Sequence, residues 1–172
     1  MKTWLTQLAL SLLLFLAPVF SGTAQAAASC GVSVSALAFG PYASPGGAQV
    51  DSSASVLVSC TPEYLLLACK TSYTLSLSLG NHAGANQRRM ATSASTGTGY
   101  LGYGLFSDSQ RQQPWGDGGA SGARVSGTVT TSLLALVCLP GNRSHTVYGR
   151  LPASQNVPAG AYTDSVMLTV TY

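Results

Sequence analysis

AYTDSVMLTVTY, residues 161–172, carries its apolar side chains on every second position from Val166 onward. Val166, Leu168, Val170 and Tyr172 share one face, while Met167, Thr169 and Thr171 share the other. A period of two belongs to a half-buried strand, since a helix repeats its apolar positions every three or four residues. A strand needs a neighbour on each side or a protected edge. The first question is therefore where the partners of this strand lie.

The same pattern recurs upstream. Residues 53–60 place Ala54, Val56, Val58 and Cys60 on one side. Tyr73, Leu75, Leu77 and Leu79 alternate with Thr74, Ser76 and Ser78, and Gly80-Asn81 supplies turn residues after them. Nearer the start, Val32, Val34 and Ala36 hold one phase, and Leu37 and Phe39 hold the opposite one. A slip of one residue marks a bulge or a strand crossing between two sheets. Gly40-Pro41-Tyr42 opens a turn-rich connection, and Trp115-Gly116-Asp117-Gly118-Gly119 reads as a tight loop. Residues 100–106 form an aromatic strand whose glycines at 102 and 104 imply bending or close backbone approach. Further strands are predicted over 124–129, 133–138, 144–150 and 162–172. No helical period with caps is sustained after residue 28. Short strands with regular turn signals predict one antiparallel β-sandwich domain.

The first 28 residues are set aside from the fold. Lys2 precedes the apolar run 8–20 and then small residues, with Ala24-Gln25-Ala26 and Ala26-Ala27-Ala28 suited to signal-peptidase cleavage. The run is shorter than the ~20 residues of a spanning helix. A signal peptide over 1–28, cleaved near 26–28, and one domain over 29–172 are expected. The mature chain would then be exported with no membrane span. The net charge of +3, without a basic stripe, gives no basis for nucleic-acid binding. Charged residues make up only 8% of the chain, a surface suited to secretion.

All four cysteines, Cys30, Cys60, Cys69 and Cys138, fall in the mature part. An even count in an exported chain favours two disulfides, and four cysteines allow three pairings. Metal is the weaker reading, because no Cys-x-x-Cys pair exists and His82 and His145 are far apart. Strand parity narrows the pairings. Cys30 shares a face with Val32 and Val34, and Cys60 shares one with Val56 and Val58. Two inward cysteines on neighbouring strands can meet. That leaves Cys69 for Cys138, each at the end of a bulky apolar run.

A catalytic site needs converging titratable groups. Five acidic side chains and two histidines are a thin supply. His82 reads as a solvated turn residue, His145 as an edge or surface position, and Asp117 and Asp164 as too isolated for a carboxylate pair. No Gly-x-Ser-x-Gly element holds a serine on a sharp turn. The inventory argues against an enzyme and calls for no cofactor. Tyr103 and Trp115, within the aromatic group Tyr100, Tyr103, Phe106 and Trp115, could form a sugar-stacking ligand loop. Burial in the core is the favoured alternative. Arg88-Arg89 reads as a pair of solvated loop charges.

Several blocks in order carry a resemblance that covers nearly the whole mature chain. They are Cys30 with Phe39-Gly40-Pro41-Tyr42, Val58-Ser59-Cys60-Thr61, Tyr73-Thr74-Leu75-Ser76-Leu77 with Gly80, and Arg89-Met90. Tyr103-Gly104-Leu105-Phe106 with Asp108, and Trp115-Gly116-Asp117-Gly118, come next. Val147-Tyr148-Gly149-Arg150-Leu151-Pro152, Gln155, and Pro158-Ala159-Gly160-Ala161-Tyr162-Thr163-Asp164 complete the set. Together they resemble the spore coat protein U domain family, which includes secreted pilin-like subunits of archaic, Csu-type chaperone–usher pili.

The resemblance implies an all-β, immunoglobulin-like antiparallel β-sandwich, incomplete for want of its final strand and stapled by disulfides. It implies a non-catalytic structural or adhesive subunit that accepts a strand from a periplasmic pilus chaperone or a neighbouring subunit, with an outer-membrane usher as a further partner. The surface fibre would serve adhesion and biofilm formation. Val32, Val34 and Phe39 would border the acceptor groove on one side, and Val166, Leu168, Val170 and Tyr172 on the other. The resemblance also supports a Cys30–Cys60 bridge. A tip adhesin or lectin-like module, and a self-contained spore or cell-surface coat protein, are the alternatives.

Two departures from the family pattern matter. Residues 63–70 and 133–142 look inserted, and each brings one extra cysteine, which favours a Cys69–Cys138 bridge. Only Ala27 to Ser29 or thereabouts precede Cys30 in the expected mature chain. At ~3.3 Å per residue they do not span a domain-length groove, so this chain is expected to accept a strand rather than donate one.

Overall fold

The computed structural model describes residues 28–62, 70–94, 97–130, 133–134 and 137–172. Among these residues ten strands run in chain order: β1 (Ala28–Val34), β2 (Val50–Pro62), β3 (Lys70–Leu77), β4 (Arg88–Ala94), β5 (Gly97–Phe106), β6 (Val125–Thr130), β7 (Leu133–Leu134), β8 (Val137–Cys138), β9 (Gly141–Leu151) and β10 (Leu168–Thr171). Among the described residues there is no helix. The strands form a five-stranded sheet of order β1-β2-β9-β5-β4, a three-stranded sheet of order β10-β3-β6 and the small β7–β8 hairpin, with every pairing antiparallel. The sandwich expected from the strand pattern is what the chain builds.

The alternation in β2 sets the core. Ala54, Val56, Val58 and Cys60 all point inward and are buried. β3 answers from the facing sheet with Tyr73, Leu75 and Leu77, and Trp115 lies between the layers at 1% exposure. Its indole Nε1 donates to the Leu75 carbonyl at 3.3 Å, which satisfies the ring's one polar atom. Cys30 and Cys60 pair directly across β1 and β2 and are joined by a disulfide. The Cys69–Cys138 expectation rests on side chains outside the described residues.

Three expectations about strands are corrected. The segment 133–138 is two two-residue strands folded into a hairpin, Leu133 opposite Cys138, not one strand. Its apolar run is continuous, so no alternation fixes it against a sheet. The closing strand is laddered only over Leu168–Thr171. Before that, the chain crosses between sheets. Thr163 exchanges two backbone hydrogen bonds with Ala91 of β4, and the Ser165 carbonyl accepts from Asn81 N, just past β3. The first strand likewise stops at Val34, and Leu37 and Phe39 turn inward without a ladder. The slip in phase marks this departure.

Candidate functional site

β1 lies at one edge of the five-stranded sheet and β10 at one edge of the three-stranded sheet. Among the described residues each has a single neighbour, β2 and β3 respectively. Antiparallel ladders alternate between hydrogen-bonded and non-bonded pairs, so a strand's main-chain groups point alternately to the two sides. Ser35 N donates to Ser55 O, which extends the β1–β2 register and makes its odd-numbered β1 residues the bonded ones. Ser78 N donates to Met167 O, which does the same for the odd-numbered residues of β10. The peptide groups of Val32 and Val34, and those of Val166, Leu168 and Val170, therefore face away from their ladders. The Cys30–Cys60 pair is a non-bonded one, with its Cα atoms 4.1 Å apart.

Of the residues with unladdered peptide groups, Val32, Val166, Leu168 and Val170 turn their side chains toward the core, while Val34, 53% exposed, stands at the open rim. A cavity of about 520 Å³ lies among them, bordered by Val32, Val34, Leu37 and Phe39 on one flank and by Val166 and Leu168 on the other. Its floor is Ala54, Val56, Leu77, Leu105 and Val147, contributed by both sheets. Val170 packs half-buried against the same core beyond the cavity. Tyr172, expected on that face, is 47% exposed, because it lies past the last laddered pair, Thr171 with Thr74. A close approach sets the Phe39 flank. A Cβ on Gly149 would stand 2.9 Å from the Phe39 ring, so the bare backbone of β9 makes room for that ring.

Asp164 closes the wall beside Tyr103. Its carboxylate accepts from Tyr103 Oη at 2.7 Å, Asn81 N at 2.9 Å, His82 Nδ1 at 3.1 Å and His82 N at 3.3 Å. Burial pushes its pKa up. Hydrogen bonds from Tyr103, the Ser165 amide, His82 and Asn81 outweigh this and hold it below the ordinary carboxylate value. Burial, with the Asp164 hydrogen bond second, pushes the Tyr103 phenol far up. Gly80 is required here: its φ is +89°, and a Cβ would stand 2.0 Å from Asp164 Oδ2. With every donor aimed at structure, the carboxylate acts as a tie between the 80–82 turn, β5 and the segment leading to β10.

Several side chains lie where the sequence did not put them. Arg88 is not a solvated charge: it is 4% exposed and donates to the carbonyls of Ser78 (2.8 and 3.0 Å) and Leu77 (3.3 Å). It shares parity with Met90 and Thr92 on β4, which point inward. Burial pulls its pKa below the usual guanidinium value. His145 shares the inward parity of Val147 and Leu151 and wedges between the rings of Tyr73 and Trp115. Tyr103 and Trp115 are both buried, so neither ring is presented as a stacking platform. His82 does sit in a turn, with its side chain 40% exposed and hydrogen-bonded to Asp164.

A family model for the Spore Coat Protein U domain matches residues 17–169. The chain belongs to that family. The Spore Coat U domain of this chain is 38% identical over 93 residues to Protein U of Myxococcus xanthus, a match covering 54% of this chain and 45% of that one. Its fold is similar to a chain of the CsuC–CsuE chaperone–tip adhesion subunit pre-assembly complex, from the archaic chaperone–usher Csu pili of Acinetobacter baumannii. There the TM-score is 0.51 and the identity 26%, over 84% of this chain and 40% of that chain. The Spore Coat U chain thus spans less than half the length of either relative.

Proposed function

We propose that the chain is an exported, non-catalytic subunit of a surface fibre. It would accept a β-strand from a periplasmic chaperone or a neighbouring subunit, with an usher as a further partner. One observation carries this reading: the two strands bordering an apolar cavity offer unladdered peptide groups at the residues that line it. A strand laid there would gain main-chain hydrogen bonds from Val166, Leu168 and Val170 and bury alternate side chains in the cavity. Similarity to a chain of a chaperone–subunit complex supports the reading.

The matching experiment is expression of residues 27–172 in a periplasm with and without a chaperone of the archaic chaperone–usher class. A soluble 1:1 complex is expected with the chaperone, and a lower yield of soluble protein without it. A monomer that neither binds the chaperone nor gains stability from it would overturn the acceptor reading and favour a self-contained coat protein. Export follows from the signal peptide proposed within residues 1–28, with cleavage near 26–28. Ala28 is buried and pairs with Pro62, which favours the earlier cuts, after residue 26 or 27, that leave Ala28 on the domain. A tip adhesin remains the second reading, since the similar solved complex contains a tip adhesion subunit. Its ligand surface would not be Tyr103 and Trp115.

A further inference from the structure

The last residue of β5, Phe106, carries a half-buried ring that the groove does not use. The ring lies across Gly104, where a Cβ would stand 2.7 Å from it, so the bare glycine backbone sets its position. Phe106 lines a separate cavity of about 320 Å³, together with Pro114 and Pro152. This cavity shares only Tyr103 and Leu105 with the groove between β1 and β10. Its volume is at the small end of ligand sites, which run from about 300 to 1,000 Å³.

Polar groups reach the same cavity from two elements. Asn86 and Gln87 are exposed, and their side-chain amides have no hydrogen-bond partner among the described residues. A tight hairpin fixes them: Gly84 and Gln87 exchange backbone hydrogen bonds at 3.0 and 2.9 Å, with Ala85 at φ +48° and Asn86 at φ +64°. A left-handed alanine is costly, and such strain gathers at ligand sites. Arg150 comes from β9. Asp51 takes its Nε at 2.8 Å and its Nη2 at 2.9 Å, which leaves Nη1. Arg88 is a second guanidinium in the lining, and no carboxylate lines the cavity among the described residues.

Each part of the lining narrows the occupant. Two positive groups without a negative one favour an anion. An aromatic ring flanked by prolines favours a ligand with an apolar face, which a bare inorganic anion lacks. Amides both donate and accept, as neighbouring hydroxyls require. We infer that this cavity is a subsite for a uronate, the acidic sugar unit of a polysaccharide. Its C–H face lies against Phe106, its carboxylate toward Arg150 and its hydroxyls on Asn86 and Gln87. The subsite lies outside the acceptor groove and does not depend on the strand-acceptor reading.

Titrations followed by saturation-transfer NMR test it, on the chain as purified from a periplasm, with any co-purifying chaperone measured alone as a blank. The probes are methyl glucuronide and methyl galacturonide, each beside its neutral parent glycoside, and acetate. At least one uronate should bind with a Kd on the order of 1 mM, about tenfold tighter than its parent. Arg150→Gln should erase that preference and leave the parent's binding unchanged. Gln87→Ala, at an exposed position, should weaken both sugars, and Ala120→Trp, exposed on the cavity rim, should abolish binding. If no uronate outbinds its parent, if the preference survives Arg150→Gln, or if Ala120→Trp leaves binding intact, the subsite is overturned. If acetate displaces the uronate at equal concentration, the site holds a simple anion and the sugar assignment fails.

Discussion

His145 and Tyr73 meet across the sandwich, imidazole Nε2 against the phenol oxygen at 2.5 Å, with the rings edge-on at 88°. His145 lies on β9 and Tyr73 on β3, so the contact ties the two sheets together. Burial, and then the charge of Arg143, lower the His145 pKa below the free value. A depressed histidine contributes stability that is complete above the unfolded pKa, about 6.5, and lost as pH falls below it. Denaturation midpoints should therefore fall between pH 7 and pH 5, and His145→Gln should flatten that dependence. An unchanged slope in the variant would show that the sheet contact tolerates the charge.

The Asp164 carboxylate gathers donors from β5 and from the 81–82 turn, so its removal leaves the buried Tyr103 hydroxyl and the turn amides unpaired. Asp164→Ala should cost about 3 kcal/mol in urea denaturation, and Tyr103→Phe, which removes one donor, about 1 kcal/mol. Gly80→Ala should be at least as damaging as Asp164→Ala, because it adds both a disfavoured φ and a clash with the carboxylate.

The disulfide closes a separation of 30 residues, a constraint of roughly 3–4 kcal/mol in the loop-entropy model. Replacing both Cys30 and Cys60 by serine should lower the denaturation midpoint accordingly and raise hydrogen exchange along β1 first. Mapping of unreduced peptides should show Cys30 linked to Cys60 and Cys69 linked to Cys138. A Cys69 link to either of the first two would refute the second pairing.

Proline separates the two sides of β10. Val170 directs its N–H to the open side, so Val170→Pro should leave the domain folded within about 1 kcal/mol and weaken strand or chaperone binding at least tenfold. Thr169 directs its N–H into the β3 ladder, so Thr169→Pro should instead destabilise the strand itself. Equal effects from both substitutions on folding would contradict the assignment of sides.

Local alternation was enough to read β2, β3 and the inward turn of Cys30 and Cys60, because each depends on neighbouring residues alone. The same rule applied to β9 shows His145 inside with Val147 and Leu151; a residue-type expectation for histidine concealed it. Arg88 was missed for the same reason, as its parity with Met90 points inward. The closing strand was overextended because side-chain ties such as Ser78 Oγ to Met167 N leave alternation intact while breaking the ladder. The cavity floor was not legible at all: Ala54, Leu77, Leu105 and Val147 come from four strands far apart in the chain. Only tertiary packing brings them under one opening.

The staple between Cys30 and Cys60 also has a mechanical meaning. Under the acceptor reading, a partner strand lies along the groove axis, so tension on a fibre would load its hydrogen bonds in shear, many at once. One border of the groove, β1, is a peripheral strand that such a load could peel away. The covalent link passes that force directly into β2, which is flanked by strands on both sides, and so places the resisting element inside the sheet.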